Sequence, residues 1–300
     1  MNRRKFLSAA TGDVLQSVVP AASSGQFIKS ICVSIFSADV PYSECFRKAK
    51  SAGFDGMEIQ IGREINLDST PAQVRRVAEV AGESGISIAS LWVSRPLRDH
   101  PLNSPDPTQR ARGVAAIRRA IEFAQYLECG ALLLVPGGLG HGPKFEVGYK
   151  DTWERLTVEL KRVIPLAERA KVFLTIENVW NRFLVSPLEM CSFVDQFHSP
   201  YFRTHFDIGN IMQYGYPQDW ILTLGSRVKR VHVKDYLLKP GGQGRFIGLL
   251  EGDVDWRAVM QALVEVGYRG FLSHETGHDP SDPDKLKKVS RALDTILSMA

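Results

Sequence analysis

Val172-Phe173-Leu174-Thr175-Ile176-Glu177, Arg203-Thr204-His205-Phe206-Asp207, Arg230-Val231-His232-Val233-Lys234 and Phe271-Leu272-Ser273-His274-Glu275 are four short, mostly apolar runs spaced along the second half of this chain. Each reads as a strand that carries, at or near its end, a side chain able to bind a cation or move a proton. In a strand, residues two apart share a face. Val231 and Val233 therefore face one way and Arg230, His232 and Lys234 the other. By the same count Leu174 and Ile176 face outward and Glu177 inward. A lone acidic residue after a strand is ordinarily a helix cap or a solvated loop residue. Glu177, Asp207, His232 and Glu275, at matching depth on consecutive strands, call for a shared explanation.

Outward from these runs, the chain from Ile28 alternates short apolar segments with amphipathic ones, the pattern of a parallel sheet covered by helices. Eight strands are predicted: Ile28–Ile35, Gly56–Ile61, Ser87–Val93, Ala131–Val135, Val172–Ile176, Arg203–Phe206, Val228–Val233 and Gly270–His274. Helices are predicted over Tyr42–Ala52, Thr70–Ser84, Thr108–Glu128, Trp153–Ala170, Pro187–Phe197, Asp219–Gly225, Trp256–Val266 and Asp284–Met299. Gly53, Gly85, Gly130 and Gly267 fall where a left-handed residue would close a helix. Eight strands and eight helices predict a single (β/α)8 TIM barrel over residues 27–300, which are enough for the roughly 250 residues such a barrel takes. The competing open, doubly wound sheet would favour a glycine-rich phosphate loop after the first strand, and none follows Ile35. The glycines around His141 precede no Lys-Ser or Lys-Thr, so they make no nucleotide loop.

The composition is that of an ordinary globular protein, with 44% hydrophobic and 23% charged residues and a formal charge of +4. That balance, without a basic tract interleaved with aromatics, implies no nucleic-acid partner. Lys285, Lys287, Lys288 and Arg291 read as a solvated helix face. No apolar run reaches the length that spans a bilayer, so no stable membrane insertion is expected. Cys32, Cys45, Cys129 and Cys191 lie far apart among apolar neighbours and read as buried thiols. Residues 1–26 are set apart from the fold. Asn2-Arg3-Arg4-Lys5-Phe6-Leu7 resembles a twin-arginine export signal, followed by small residues at Pro20-Ala21-Ala22-Ser23-Ser24, although Asp13 interrupts the apolar stretch. The expectation is export to the periplasm if the leader functions and a cytoplasmic protein otherwise.

In a barrel of this kind the active site lies at the C-terminal ends of the strands. Three carboxylates converging there would repel one another, and a divalent cation removes that repulsion. Glu177, Asp207, His232 and Glu275 are therefore the expected ligands of one divalent metal ion, with Mn2+, Mg2+, Co2+ and Zn2+ all suited to the mixed donor set.

Four segments carry a family resemblance: Glu177-Asn178-Val179-Trp180-Asn181-Arg182-Phe183-Leu184, Phe206-Asp207-Ile208-Gly209-Asn210, Val231-His232-Val233-Lys234-Asp235-Tyr236 and Gly252-Asp253-Val254-Asp255-Trp256. As a set they resemble the xylose-isomerase-like barrel superfamily, and within it the sugar-phosphate isomerase/epimerase branch that includes the L-ribulose- and L-xylulose-5-phosphate 3-epimerases. The resemblance runs from about Ile28 to the C-terminus. It places Glu177, Asp207, His232 and Glu275 on the family's metal ligands, and Glu177 and Glu275 on its paired acid/base carboxylates. The implied reaction is isomerisation or epimerisation of a keto-sugar or sugar phosphate. A proton leaves the carbon beside a carbonyl, a metal-bound enediolate forms, and a proton returns. Leu184 and Asn210 depart from the free-ketose 3-epimerases, which carry a glutamate and often a histidine at those positions, and so favour the phosphosugar branch.

Expected substrate contacts are Lys234 to an oxyanion or phosphate, Arg245 in the glycine-rich loop after strand seven, and Asn181 and Asn210 to sugar hydroxyls. Each has a plain alternative: a rim salt bridge for Lys234, a solvated loop for Arg245, turn capping for the two asparagines. Glu58, at the end of strand two, is expected either to bind a hydroxyl or to orient a metal ligand. His205 reads as a barrel-interior histidine and Trp92 as core or as a wall of the sugar site. Three other activities share the pattern. A carbon–oxygen lyase acting on a keto-sugar or keto-inositol could use the same centre. Hydrolysis at abasic DNA would need more metals and more than the chain's seven histidines. A non-catalytic sugar-binding barrel would need no acid/base pair. The sequence is also compatible with a homo-oligomer.

Overall fold

The computed structural model describes residues 26–135, 137–140, 144 and 146–300. The leader motif and His141 lie outside the described residues. In chain order the first elements are β1 (Phe27–Cys32), α1 (Tyr42–Ser51), β2 (Gly56–Gln60), α2 (Pro71–Glu83) and β3 (Ser87–Trp92). Next come α3 (Ser94–Asp99), α4 (Pro107–Tyr126), β4 (Ala131–Leu134), α5 (Tyr149–Lys161), α6 (Ile164–Ala170) and β5 (Phe173–Glu177). The second half holds α7 (Pro187–Asp195), β6 (Phe202–Asp207), α8 (Ile208–Ile211), α9 (Pro217–Leu224) and β7 (Val228–Val233). It ends with β8 (Asp235–Leu237), β9 (Arg245–Ile247), α10 (Trp256–Glu265), β10 (Gly270–His274) and α11 (Lys285–Leu297).

Eight parallel strands close into a barrel in the order β1-β10-β7-β6-β5-β4-β3-β2, with β8 and β9 forming a separate antiparallel hairpin. The predicted single (β/α)8 barrel is the observed architecture. The outward strand residues pack on the helices. Ile59, Leu91, Leu132, Leu174, Val231 and Leu272 are all fully buried there. Helix starts follow their local chemistry. Thr70 and Gln73 form a reciprocal capping box ahead of α2, and Asp106, Ser186 and Asp255 cap α4, α7 and α10. Gly53, Gly85 and Gly267 do take left-handed φ, but α4 is closed by Glu128 at φ 52° rather than by Gly130.

Two expectations change. The first strand stops at Cys32, and Val33–Ile35 turns as a 3-10 helix. The helix predicted over Trp153–Ala170 is two, α5 and α6, because Pro165 cannot donate its backbone nitrogen and opens a new first turn. Gln26 donates from its side chain to the Tyr268 carbonyl at 2.7 Å. No helix among the described residues is long and apolar enough to cross a membrane.

Candidate functional site

The register of the last four barrel strands brings Glu177, Asp207, His232 and Glu275 together. One donor atom from each lies within 4.8 Å of all the others. The shared centre is His232 Nδ1. It stands 3.0 Å from a Glu177 oxygen, 3.2 Å from Glu275 Oε2 and 3.6 Å from Asp207 Oδ2. His232 and Asp207 are fully buried, Glu177 is nearly so, and Glu275 opens to the rim. The local chain explains the aim of Asp207. Its Oδ1 caps α8 by accepting from the Asn210 N–H at 2.8 Å. Asn178 clamps the Asp207 backbone through two hydrogen bonds of 2.8 Å. Oδ2 is buried and faces the centre, where it meets the Lys234 ammonium, as does Glu275 Oε2.

One imidazole N–H can satisfy one acceptor, yet three carboxylates face this nitrogen. An oxygen-rich set of three carboxylates completed by one imidazole, all within 4.8 Å of one another, fits a divalent cation. The second positive group is Lys234, whose Nζ lies 2.9 Å from Asp207 Oδ2 and 2.5 Å from Glu275 Oε2. Burial works against the charge on Lys234, but Asp207 and Glu275 prevail and hold it above its ordinary range. The two glutamates are pushed apart. Burial raises Glu177, whereas at Glu275 burial is outweighed by His232 and Lys234, which lower it. His205 sits beneath with its ring centroid 4.1 Å from that of His232, and burial holds it well below the ordinary histidine range.

The remaining sequence candidates separate. Lys234 and Glu275 line a cavity of about 680 Å3 that opens between the hairpin and α11. Asn181 and Trp92 line a second cavity of about 900 Å3 on the β3–β5 side. Trp92 also sets its ring edge against His232, with centroids 5.9 Å apart. Asn210 is buried, and its side-chain amide donates one hydrogen bond to the Asn178 carbonyl at 2.9 Å. Arg245 is exposed on β9, where the hairpin turns its side chain to solvent; its neighbour Phe246 lines the first cavity. Glu58, placed with the substrate contacts, is 1% exposed and lies behind His232, away from the mouth. Sequence reasoning missed Phe246, which stacks on Trp180 with centroids 5.1 Å apart and lies 5.3 Å from Lys234 Nζ. Its only signal was an aromatic residue beside the glycine-rich loop.

Fold and site together define a closed (β/α)8 barrel with a carboxylate–histidine centre at the C-terminal rim of its strands, the face where such barrels place their chemistry. Residues 46–296 match the family model described as xylose isomerase-like TIM barrel, and the chain belongs to that family. It is 29% identical over 281 residues, 89% of this chain and 94% of the relative, to an L-ribulose-5-phosphate 3-epimerase UlaE of Escherichia coli O1:K1 / APEC. Among solved structures it resembles an L-ribulose 3-epimerase, with TM-score 0.72 and 22% identity over 90% of this chain and 94% of the other. It also resembles a xylose isomerase-like barrel protein of Mycobacterium smegmatis in complex with magnesium, with TM-score 0.73 and 14% identity over 92% of this chain and 98% of the other.

Proposed function

We propose that this chain is a divalent-metal-dependent isomerase or epimerase of a keto-sugar or sugar phosphate. The observation that carries the reading is the convergence of Glu177, Asp207, Glu275 and His232 Nδ1 on one point. A cation held by these four residues would supply electrophilic stabilisation of the charge that develops on a substrate oxygen. The chain's own groups do the rest. Glu177 and Glu275 are the two proton carriers, one removing the proton beside the carbonyl and the other returning one. Glu177 is shielded from water and Glu275 lies at the rim. Lys234, between Asp207 and Glu275, orients the rim carboxylate and offers its charge to a substrate oxyanion. Trp92 and Phe246 wall the approach from its two cavities. The relatives named L-ribulose-5-phosphate 3-epimerase support a ketopentose phosphate as the first substrate to try. No observation in the site favours the elimination reaction over it.

The test is proton exchange. Protein supplied with Mn2+ in D2O is given a panel of ketoses and ketose phosphates, and deuterium uptake is mapped by mass spectrometry and NMR. Uptake beside the carbonyl with mass otherwise conserved is the expected result. Glu177→Gln and Glu275→Gln should each lower the exchange rate by about 100-fold or more. Unchanged rates in both variants, or loss of a leaving group in place of exchange, would overturn the proposal.

A further inference from the structure

Glu58 reaches across the barrel lumen from β2 to β7, with 1% of its surface exposed. Its carboxylate gathers three donors. One oxygen, Oε1, takes His232 Nε2 at 2.8 Å and the Cys32 thiol at 3.3 Å. The other takes the Ser90 hydroxyl. To bind a cation the imidazole must give up one proton, and it then keeps one N–H. If that hydrogen sat on Nδ1, the bare Nε2 would face a carboxylate oxygen at hydrogen-bonding distance, two acceptors with nothing between them. With the hydrogen on Nε2 the contact is satisfied, and the bare lone pair is Nδ1, the atom surrounded by Glu177, Asp207 and Glu275. The rings of Trp92 and His205 pack against the imidazole, with centroids 5.9 and 4.1 Å away.

We infer that Glu58 is a positioning residue: it locks His232 in the Nε2–H form and thereby delivers Nδ1 as the metal-binding nitrogen. Ser90 and Cys32 hold the carboxylate in place for that purpose. The inference rests on the proposed metal centre and assigns the atom and the device that the centre depends on. Partners of this kind typically change metal affinity by about 10- to 100-fold when removed.

The first experiment needs no variant. The protein is labelled with 15N-histidine, loaded with 113Cd2+ and observed by NMR. The expected result is a one-bond 113Cd–15N coupling at His232 Nδ1, with Nε2 still protonated and hydrogen-bonded. Coupling at Nε2 would overturn the assignment while leaving the metal centre intact. Absence of coupling at both nitrogens, together with no Mn2+ binding heat by calorimetry, would overturn the metal centre itself. The second experiment compares Mn2+ affinity in Glu58→Gln and Ser90→Ala, with folding checked by circular dichroism. Glu58→Gln should weaken binding about 10- to 100-fold and shift the His232 nitrogen resonances toward a mixed tautomer. Ser90→Ala, which keeps the Glu58–His232 contact, should show a smaller loss of the same kind. A folded Glu58→Gln with wild-type affinity and an unchanged His232 spectrum would sink the inference.

Discussion

Lys234→Met removes the positive charge that faces the carboxylate cluster and keeps an unbranched side chain of similar length. The donor oxygens of Glu177, Asp207 and Glu275 lie within 4.8 Å of one another. At an effective dielectric constant of about 20, each like-charge pair at that separation repels by about 3.5 kcal/mol, so three fully ionised carboxylates would cost about 10 kcal/mol, and burial already pushes Glu177 up to about 7. Lys234 lies 2.9 Å from Asp207 Oδ2 and 2.5 Å from Glu275 Oε2. On the same scale those two contacts return about 12 kcal/mol, enough to offset the repulsion. The variant will not lose that whole amount, because one carboxylate can take up a proton. Protonating at pH 7 a carboxyl whose ordinary pKa is about 4.3 costs about 3.5–4 kcal/mol, and this route caps the loss. Chains of roughly this size lose about 2–4 °C in Tm per kcal/mol, so the metal-free variant should melt below the wild type by up to roughly 7–16 °C. Excess Mn2+ should recover most of the difference, since the cation takes over the neutralising role. Circular-dichroism melts of both proteins, in EDTA and then in Mn2+, provide the comparison. A metal-free variant melting within about 2 °C of wild type, or one that Mn2+ fails to rescue, refutes the electrostatic reasoning.

Other perturbations read different parts of the same structure. Mn2+ at about 100 times its Kd should stabilise the wild-type chain by about 2.7 kcal/mol, and Asp207→Asn should abolish that gain in calorimetric melts. A methyl group at Gly209 would meet Lys234 Cβ at 2.6 Å and its carbonyl oxygen at 3.1 Å, so Gly209→Ala should cost about 1–3 kcal/mol in urea unfolding. Asp235 accepts from Tyr236 N–H and Leu250 N–H at 2.8 Å, Trp256 Nε1 at 3.1 Å and Val254 N–H at 3.3 Å. Asp235→Asn turns an amide toward those donors and should lower the urea midpoint by the equivalent of about 3 kcal/mol with little change in m-value.

The barrel was legible because each strand combines an apolar outward face with a helix that covers it, and that alternation survives in one dimension. The four central residues were legible for a related reason: a strand's end has a fixed height in a barrel, so end residues of neighbouring strands must meet. What stayed hidden depends on the third dimension. Glu58 and His232 lie on strands separated by β1 and β10, and nothing local to either says which imidazole nitrogen faces which carboxylate. Asn210 has the look of a polar reader, and only the fold shows its amide donating to the Asn178 carbonyl. The β8–β9 hairpin has strands of three residues each around glycines, too short for a period to register. Periodicity ran straight through Pro165 because α5 and α6 both bury the same side of the chain.

Two register shifts explain why the polar groups of the lumen meet level with one another. Between β2 and β3 the pairing passes from Met57↔Ile88 to Glu58↔Ser90, skipping Ala89. That skip sets the Ser90 hydroxyl beside the Glu58 carboxylate and turns the Ala89 carbonyl to accept from Arg230 Nε at 2.8 Å. Between β6 and β7 the pairing passes from Thr204↔Val228 to His205↔Arg230 and Asp207↔His232, skipping Lys229. One extra residue on one strand re-aims every side chain above it, because the side-chain period is two. Without the second shift Asp207 would stand level with Val231, an outward residue, and its Oδ2 could not reach Nδ1 of His232. Along β7 the inward residues then fall into three levels about 6.6 Å apart: Arg230 plugging the lumen against Ala89 and Phe271, His232 at the centre, and Lys234 at the rim. Strand register thus sets the height of the centre, and the segments just beyond the strand ends, which supply Glu275 and Lys234 and clamp Asp207 through Asn178, complete it.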